Sequence, residues 1–524
     1  MSKRIKELFG NILGNKAYEN ADRINLEGNS AFELSDEDLF LQTLLTNTYT
    51  DVFYANKDEL AAESFNVHKN MLGKNPEFYA KSVIYARNKG FMRLQPVLGT
   101  VFLSTLNDKR YFKSVFSRTI LTPNDLEDFL DICRSKSVRT GIGRSVKGEI
   151  IRYLKNNLTE YYAMKYKSAL RDAIRLSRPS SKAFEGMKKD IVEYIMNNNV
   201  SKKLEKISAI ERLKSLDVDS DKDEIISLIE KGKLPYEAVV GVISPTRRIW
   251  EALLYQMPIM ATMRHINVMV RNKVFISGKA VKYVCEKLVN IKQSKILPFR
   301  FLTALNSIEP DAPEKIKDAL RDGLENSFVN MPELEGKTCI AVDVSGSMMS
   351  SSAKTSMKPI QIAAIFSAAI MKKCDDCIVL PVDTMLHEHT CSRRDSIMTN
   401  AEKLMKLGGG GTELDLPLDY LIQRKIRVDN FICITDSEEW YRDRRLFGIG
   451  NRGFYNKLLM YKKNINRNVK VFFIRVMPHR DSTVPKHESN LYNIEGWSNT
   501  VIDFIATITK NKEDQKQAIM KTEL

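Results

Sequence analysis

The chain has 524 residues, 43% of them hydrophobic and 28% charged, a composition that builds buried cores and excludes a disordered or fibrous polymer. With only 24 Gly and 16 Pro, helix-rich domains without long flexible linkers are expected. The 81 basic and 65 acidic residues leave a net charge of +16, an excess that favours a polyanionic partner, nucleic acid or an acidic surface.

The first ten residues are basic but no apolar signal-like run follows them. No uncharged apolar stretch of roughly 18 residues occurs later, so no membrane partner is expected. The seven cysteines are odd in number and scattered, which predicts a reduced, cytoplasmic setting.

From residue 1 to 333 the apolar residues recur at three and four spacing. Helices are predicted over 36–49, 76–89, 94–106, 124–134, 144–157, 163–177, 185–198, 247–256 and 314–328. Short helices in succession imply stacked pairs, an all-α HEAT-like solenoid. The texture changes at Met331–Gly336. Beyond it, apolar runs at 338–342, 377–382, 430–435 and 469–476 alternate with helical patterns at 358–373, 414–425 and 454–464. That alternation predicts a doubly wound, Rossmann-like α/β domain with a parallel sheet over 334–524.

Within the α/β part, Asp343-Val344-Ser345-Gly346-Ser347 follows the first predicted strand, where a doubly wound sheet binds its ligands. Gly408–Thr412 and Thr435-Asp436 supply two further oxygen-bearing loops on the same side. The set Asp343, Ser345, Ser347, Thr412 and Asp436 contains no thiolate or imidazole, and so suits a hard cation, Mg²⁺ before Ca²⁺ or Mn²⁺. The three elements in this order resemble the metal-ion-dependent adhesion site of von Willebrand factor A domains. The resemblance implies that Ser345, Ser347 and Thr412 bind Mg²⁺ directly, that Asp343 and Asp436 bind directly or through water, and that a partner's acidic group completes the site.

Other motifs carry less. Ser345 lacks the flanking glycines of a hydrolase elbow. The G-x-G-x-x-G at 448–453 follows Arg442-Asp443-Arg444-Arg445 and no strand, so it reads as a chance loop. Cys374/Cys377 and His387/His389/Cys391 lack a second ligand pair at zinc spacing and read as structural. No nucleophile–base pair is assembled, and no enzymatic activity is expected.

Charge is localised. Residues 134–189 hold 15 basic and 4 acidic residues, a net +11, while the rest of the helical half is neutral. At 100° per residue, Arg144, Lys147, Arg152 and Lys155 share one arc, and Lys167, Arg171 and Arg175 follow at i, i+4, i+8, opposite the apolar residues. With Arg139, Lys165 and Arg178 they form a candidate RNA-binding face; Tyr153, Tyr161, Tyr162 and Tyr166 stand beside it. Smaller clusters lie at Arg87–Arg118 and at Arg442, Arg444, Arg445 and Arg452.

Both halves together resemble the Ro autoantigen family, a TROVE module of HEAT-like helices closed by a von Willebrand A domain. The matching stretches are Tyr85–Gly90 with Pro96, Gly143–Lys147, Lys165–Lys167 through Arg175–Ser177, Ile249–Leu254 with Met257-Pro258, Leu297–Leu302 and the candidate metal site. The resemblance implies a monomeric ring that binds small Y-like RNA, takes the single-stranded ends of misfolded or defective noncoding RNA, and acts in RNA quality control. It also implies a protein partner with an acidic contact, such as an exoribonuclease. Where the animal proteins carry Leu-Ser-His-Leu-Lys-Pro, this chain has Leu176-Ser177-Arg178-Pro179, with a cation but no histidine. The alternative reading is a metal-dependent scaffold recruiting acidic proteins through the A domain.

Overall fold

Between Arg110 and Ser327 the described residues form helix after helix, the longer ones with apolar residues at three and four spacing buried against their neighbours. The structure, a computed structural model, describes residues 36–46, 57–90, 92–291, 296, 298–349, 358–388, 391–436, 453–476, 490–495, 499–510 and 512–524. The described residues fall into two compact units. One takes 97–296 and 300–326, the other 36–96 and 327–524 with the short link before residue 300.

In the helical unit some helix starts are set by local capping. Pro123 opens the helix Pro123–Ser135, and Thr122 and Asp125 cap it reciprocally, side chain to backbone in both directions. Phe112, Phe116 and Phe129 then pack edge to face and stacked, 5.2 to 6.3 Å between ring centres, forming a fully buried aromatic core. The single helix expected over 163–177 is two helices, Glu160–Lys165 and Lys167–Ser177. Tyr166 breaks it at φ −125° and ψ 32°, capping the first helix and opening the second.

The other unit is built on five parallel strands, β1 Thr338–Asp343, β2 Cys377–Val382, β3 Asn430–Thr435, β4 Lys470–Arg475 and β5 Leu491–Glu495, in the order β2-β1-β3-β4-β5. Cys339, Ala341, Phe431, Cys433, Val471 and Phe473 bury one face under the helices Leu416–Gln423 and Phe454–Asn464. Strand alternation turns Ile340, Val342, Ile432 and Ile434 to the opposite face, where the helix Pro359–Lys373 packs. The expected doubly wound sheet is present. β5 was not foreseen.

The sequence boundary at 333/334 marks where helices give way to strands, but packing draws another line. Helices Asp36–Thr46 and Pro76–Asn88 pack against Asn499–Lys510 and Lys512–Met520. Lys516 pairs with Glu37 at 2.9 Å, and Lys81 Nζ donates to the Met520 carbonyl at 2.8 Å. The early helices therefore belong with the α/β unit, because their apolar faces are closed by the last helices of the chain. Among the described residues, no helix is long and apolar enough to cross a membrane.

Candidate metal centre and nucleic-acid interface

The strand register assembles the candidate metal centre. Asp343 ends β1 opposite Val382 of β2, and Val342 stands opposite Ile434 of β3, so Thr435 and Asp436 arrive level with Asp343. The crevice lies between β1 and β3, where strand order reverses, outside the carboxyl ends of the strands. Asp343, Ser345, Thr412 and Asp436 are buried and Ser347 is half-buried.

Hydrogen bonds hold the Asp343, Ser345 and Ser347 oxygens. Ser345 N donates to Asp343 Oδ1 at 2.9 Å, and the Thr435 hydroxyl donates to Asp343 Oδ2 at 2.5 Å. The Ser345 and Ser347 hydroxyls share a hydrogen bond of 3.1 Å. The glycine loop is tied to the serine loop by Gly346 N donating to the Gly410 carbonyl and Gly409 N donating to the Val344 carbonyl, both at 2.9 Å. Gly408 is required there: its φ is +78°, and a Cβ would lie 1.9 Å from the Val344 carbonyl oxygen.

Burial pushes the Asp343 carboxyl up to about 6, and the nearby charge of Asp436 adds to the rise. Two buried carboxylates close enough to repel, with hydroxyls in the neighbouring loops, fit a hard cation, which would relieve that repulsion. Both Asp343 oxygens already accept hydrogen bonds, which fits contact through water. In metal-free protein the folded state holds the Asp343 proton more tightly than the unfolded state. The Asp343 contribution to stability therefore falls as pH rises from about 4 to about 6. Denaturant melts of chelator-treated protein across that window should show this decline, and Asp343→Asn should flatten it.

A third strand end, which the sequence reading left out, also reaches this loop system. Asp383, directly after β2, accepts from Gly410 N at 3.3 Å and from Met385 N at 3.0 Å. The signal was available, since Asp383 follows an apolar run as Asp343 does. Of the zinc-like motifs, His387 lies against Asp383 at 3.1 Å and Cys374 is buried. None of the seven cysteines is in a disulfide. His389 and the arginines at 442, 444, 445 and 452 lie outside the described residues, as does the G-x-G-x-x-G apart from Gly453.

The basic face lies in the helical unit. Helix Arg144–Asn157 buries Val146, Glu149, Ile150, Tyr153 and Leu154, and helix Lys167–Ser177 buries Ala169, Leu170, Ala173, Ile174 and Ser177. Those inward stripes turn the cations outward. The helix Lys167–Ser177 ends at Arg178, in the left-handed region at φ 51°.

The nine candidate cations separate into two groups. Arg144, Lys155, Arg175 and Arg178 are exposed and Lys147 is half-buried, and none forms an ion pair with a carboxylate among the described residues. The other four are engaged. Arg139 donates to Ser104 Oγ and to the Gly141 carbonyl, each at 2.5 Å. Lys165 pairs with Glu237 at 3.0 Å and donates to Tyr161; burial opposes its charge, but these bonds outweigh it and hold the ammonium above the usual lysine range. Lys167 donates to Asn198 at 2.8 Å and stands 3.4 Å over the Tyr194 ring. Arg171 donates to the Ile195 carbonyl at 2.8 Å.

Tyr153 is core, whereas Tyr161, Tyr162 and Tyr166 are half-buried neighbours, 5.6 and 6.0 Å apart in succession. In the upstream cluster, Arg87, Lys89 and Arg93 belong to one compact unit, and Lys109, Arg110, Lys113 and Arg118 to the other. Arg110 is neutralised by Asp108 at 2.7 Å.

Comparison with known proteins gives two overlapping family matches. The family model of the Ro60 vWA domain matches residues 337–509, and that of the TROVE domain matches residues 242–355. The basic face lies ahead of the TROVE match. A Caenorhabditis elegans protein named RNA-binding protein RO60 is 25% identical over 401 residues, covering 61% of each chain. A Deinococcus radiodurans protein of the same name is 25% identical over 128 residues, 24% of each. The chain thus spans about three fifths of the first relative and a quarter of the second. The crystal structure of the Deinococcus radiodurans RO (RSR) protein superposes with a TM-score of 0.73 at 18% identity, covering 91% of this chain and 99% of that one. That likeness establishes the fold.

Proposed function

The chain belongs to the Ro autoantigen family, and from that premise we propose that it is a noncatalytic, cytoplasmic RNA-binding ribonucleoprotein component. It takes small Y-like RNA and the single-stranded ends of misfolded or defective noncoding RNA, and acts in RNA quality control. The observation that carries this reading is a set of cations with no ion pair among the described residues: Arg144, Lys147, Lys155 and Arg175 on helices whose opposite faces are core, and Arg178 capping the second helix. Like charges without counter-ions cost each helix a few tenths of a kcal/mol, roughly, until an anion lies across them. Phosphates of a nucleic acid backbone supply that anion in series. Helices of this kind bind irregular and single-stranded RNA more readily than they read a DNA groove.

In the α/β unit, Ser345, Ser347 and Thr412, with Asp343 and Asp436, would hold Mg²⁺. The bound ion would supply a positive centre for an acidic group of a protein partner, of which an exoribonuclease is one kind. The Gly346–Gly410 and Gly409–Val344 hydrogen bonds keep the serine and glycine loops registered, and the Thr435 hydroxyl ties the third loop to Asp343.

Crosslinking the protein to RNA in cells and sequencing the attached fragments tests the proposal. Small structured RNAs and 3′ ends of noncoding transcripts are the expected harvest. Recovery of no RNA above an uncrosslinked control would overturn it.

A further inference from the structure

The segment bearing Thr412 is held at both ends by one residue that is not itself in the donor set. The Asp383 side chain accepts from Gly410 N at 3.3 Å, and its main-chain carbonyl accepts from Glu413 N at 2.9 Å. Thr412 lies between these two anchors. Gly410 passes the restraint on, because its carbonyl accepts from Gly346 N, the residue between Ser345 and Ser347. On the other side, Met385 N and His387 Nε2 lie 3.0 and 3.1 Å from Asp383 Oδ1. With Oδ1 occupied, the carboxylate cannot turn, and Oδ2 is left facing Gly410.

We propose that Asp383 is a positioning residue of the cation site, setting where the Thr412 hydroxyl stands relative to Ser345 and Ser347. The inference rests on reading that site as one for a divalent cation. A carboxylate is needed at 383 because both its oxygens accept. Asparagine there has one acceptor, so its amide N–H₂ would face either Gly410 N–H or the Met385 and His387 donors. Gly410 reports the same contact from the other side, since a Cβ there would sit 2.8 Å from Thr384 Oγ1 and 3.1 Å from Asp383 Oδ2.

The full chain, freed of metal by a chelator, is titrated calorimetrically with MnCl₂ and with MgCl₂, and its metal-free melting temperature is recorded. Asp383→Asn and Gly410→Ala should each weaken cation affinity about tenfold or more, while the metal-free melting temperature moves by only a few degrees. If Asp383→Asn does not fold, Gly410→Ala decides alone. Variants that bind Mn²⁺ as tightly as wild type, or that lose metal-free stability with affinity unchanged, overturn the positioning role and leave the cation site standing. A wild-type chain that takes up neither ion removes the cation site and this inference with it.

Discussion

Reversing Arg144, Lys147, Lys155 and Arg175 together to glutamate should weaken binding of a structured RNA with a single-stranded tail by about two orders of magnitude at physiological salt. Each phosphate contact to a single strand contributes a salt exponent of about 0.7, so four lost contacts amount to roughly a hundredfold before any repulsion is added. The four side chains form no ion pair among the described residues, and three of them are exposed. Surface substitutions of this kind shift stability by at most about half a kcal/mol each, so the loss should appear in binding and not in folding. The control keeps the same charge change on the same unit. Arg110, Arg212, Arg247 and Arg271 already answer Asp108, Glu224, Glu251 and Glu309, and their reversal should cost less than about tenfold, through long-range field alone. Equal losses from the two quadruple variants would mean that the helices Arg144–Asn157 and Lys167–Ser177 are not the contact surface. Gel-shift or fluorescence anisotropy titration reads both.

Gly408→Ala should abolish the rise in melting temperature that Mg²⁺ gives and lower metal-free stability as well. The residue sits at φ +78°, and an added Cβ falls 1.9 Å from the Val344 carbonyl oxygen, far inside contact distance. A left-handed alanine alone costs roughly 1–2 kcal/mol, and relieving the overlap means moving Val344, whose carbonyl holds Gly409 N. The serine loop and the glycine loop would then part. Gly409→Ala is the discriminating partner. Its φ is +100°, yet nothing lies within 4 Å of the added carbon, so it carries backbone strain without collision. It should keep part of the Mg²⁺ effect. Differential scanning fluorimetry with and without Mg²⁺ separates the two, and a Gly408→Ala protein with the full wild-type response would contradict the account of the loop.

Much of this was legible in the sequence, for identifiable reasons. β1 to β4 are near-continuous apolar runs closed by polar loops, and burial on both faces leaves that pattern little choice. Asp343, Ser345, Ser347 and Asp436 follow the ends of β1 and β3, so once the strands were placed their nearness followed from register; Thr412 comes from a loop between helices and is brought in by the glycine-loop hydrogen bonds. β5 escaped because Leu491–Glu495 interleaves Asn493 and Glu495 with its apolar residues and is short. Asp383 was passed over because it carries no motif: its role comes from Gly410 and Glu413, 27 and 30 positions away in sequence. On the basic face, helical phase placed the cations outward correctly. Phase alone cannot show that Lys165 would meet Glu237, or Arg171 the Ile195 carbonyl, because those partners come from other helices. Nor did it show the break at Tyr166, where the backbone leaves helical geometry within an otherwise continuous apolar pattern. The grouping of Asp36–Asn88 with the last helices of the chain is likewise a long-range fact that no local pattern carries.

The most direct test of RNA binding through the unpaired cations is the salt dependence of wild-type affinity for a structured RNA with a 3′ single-stranded tail. Five cations facing phosphate should give a log–log slope of about −3.5 to −4.5, depending on how much of the contact is to duplex. A slope near zero, or affinity unchanged between low and high salt, would contradict the account.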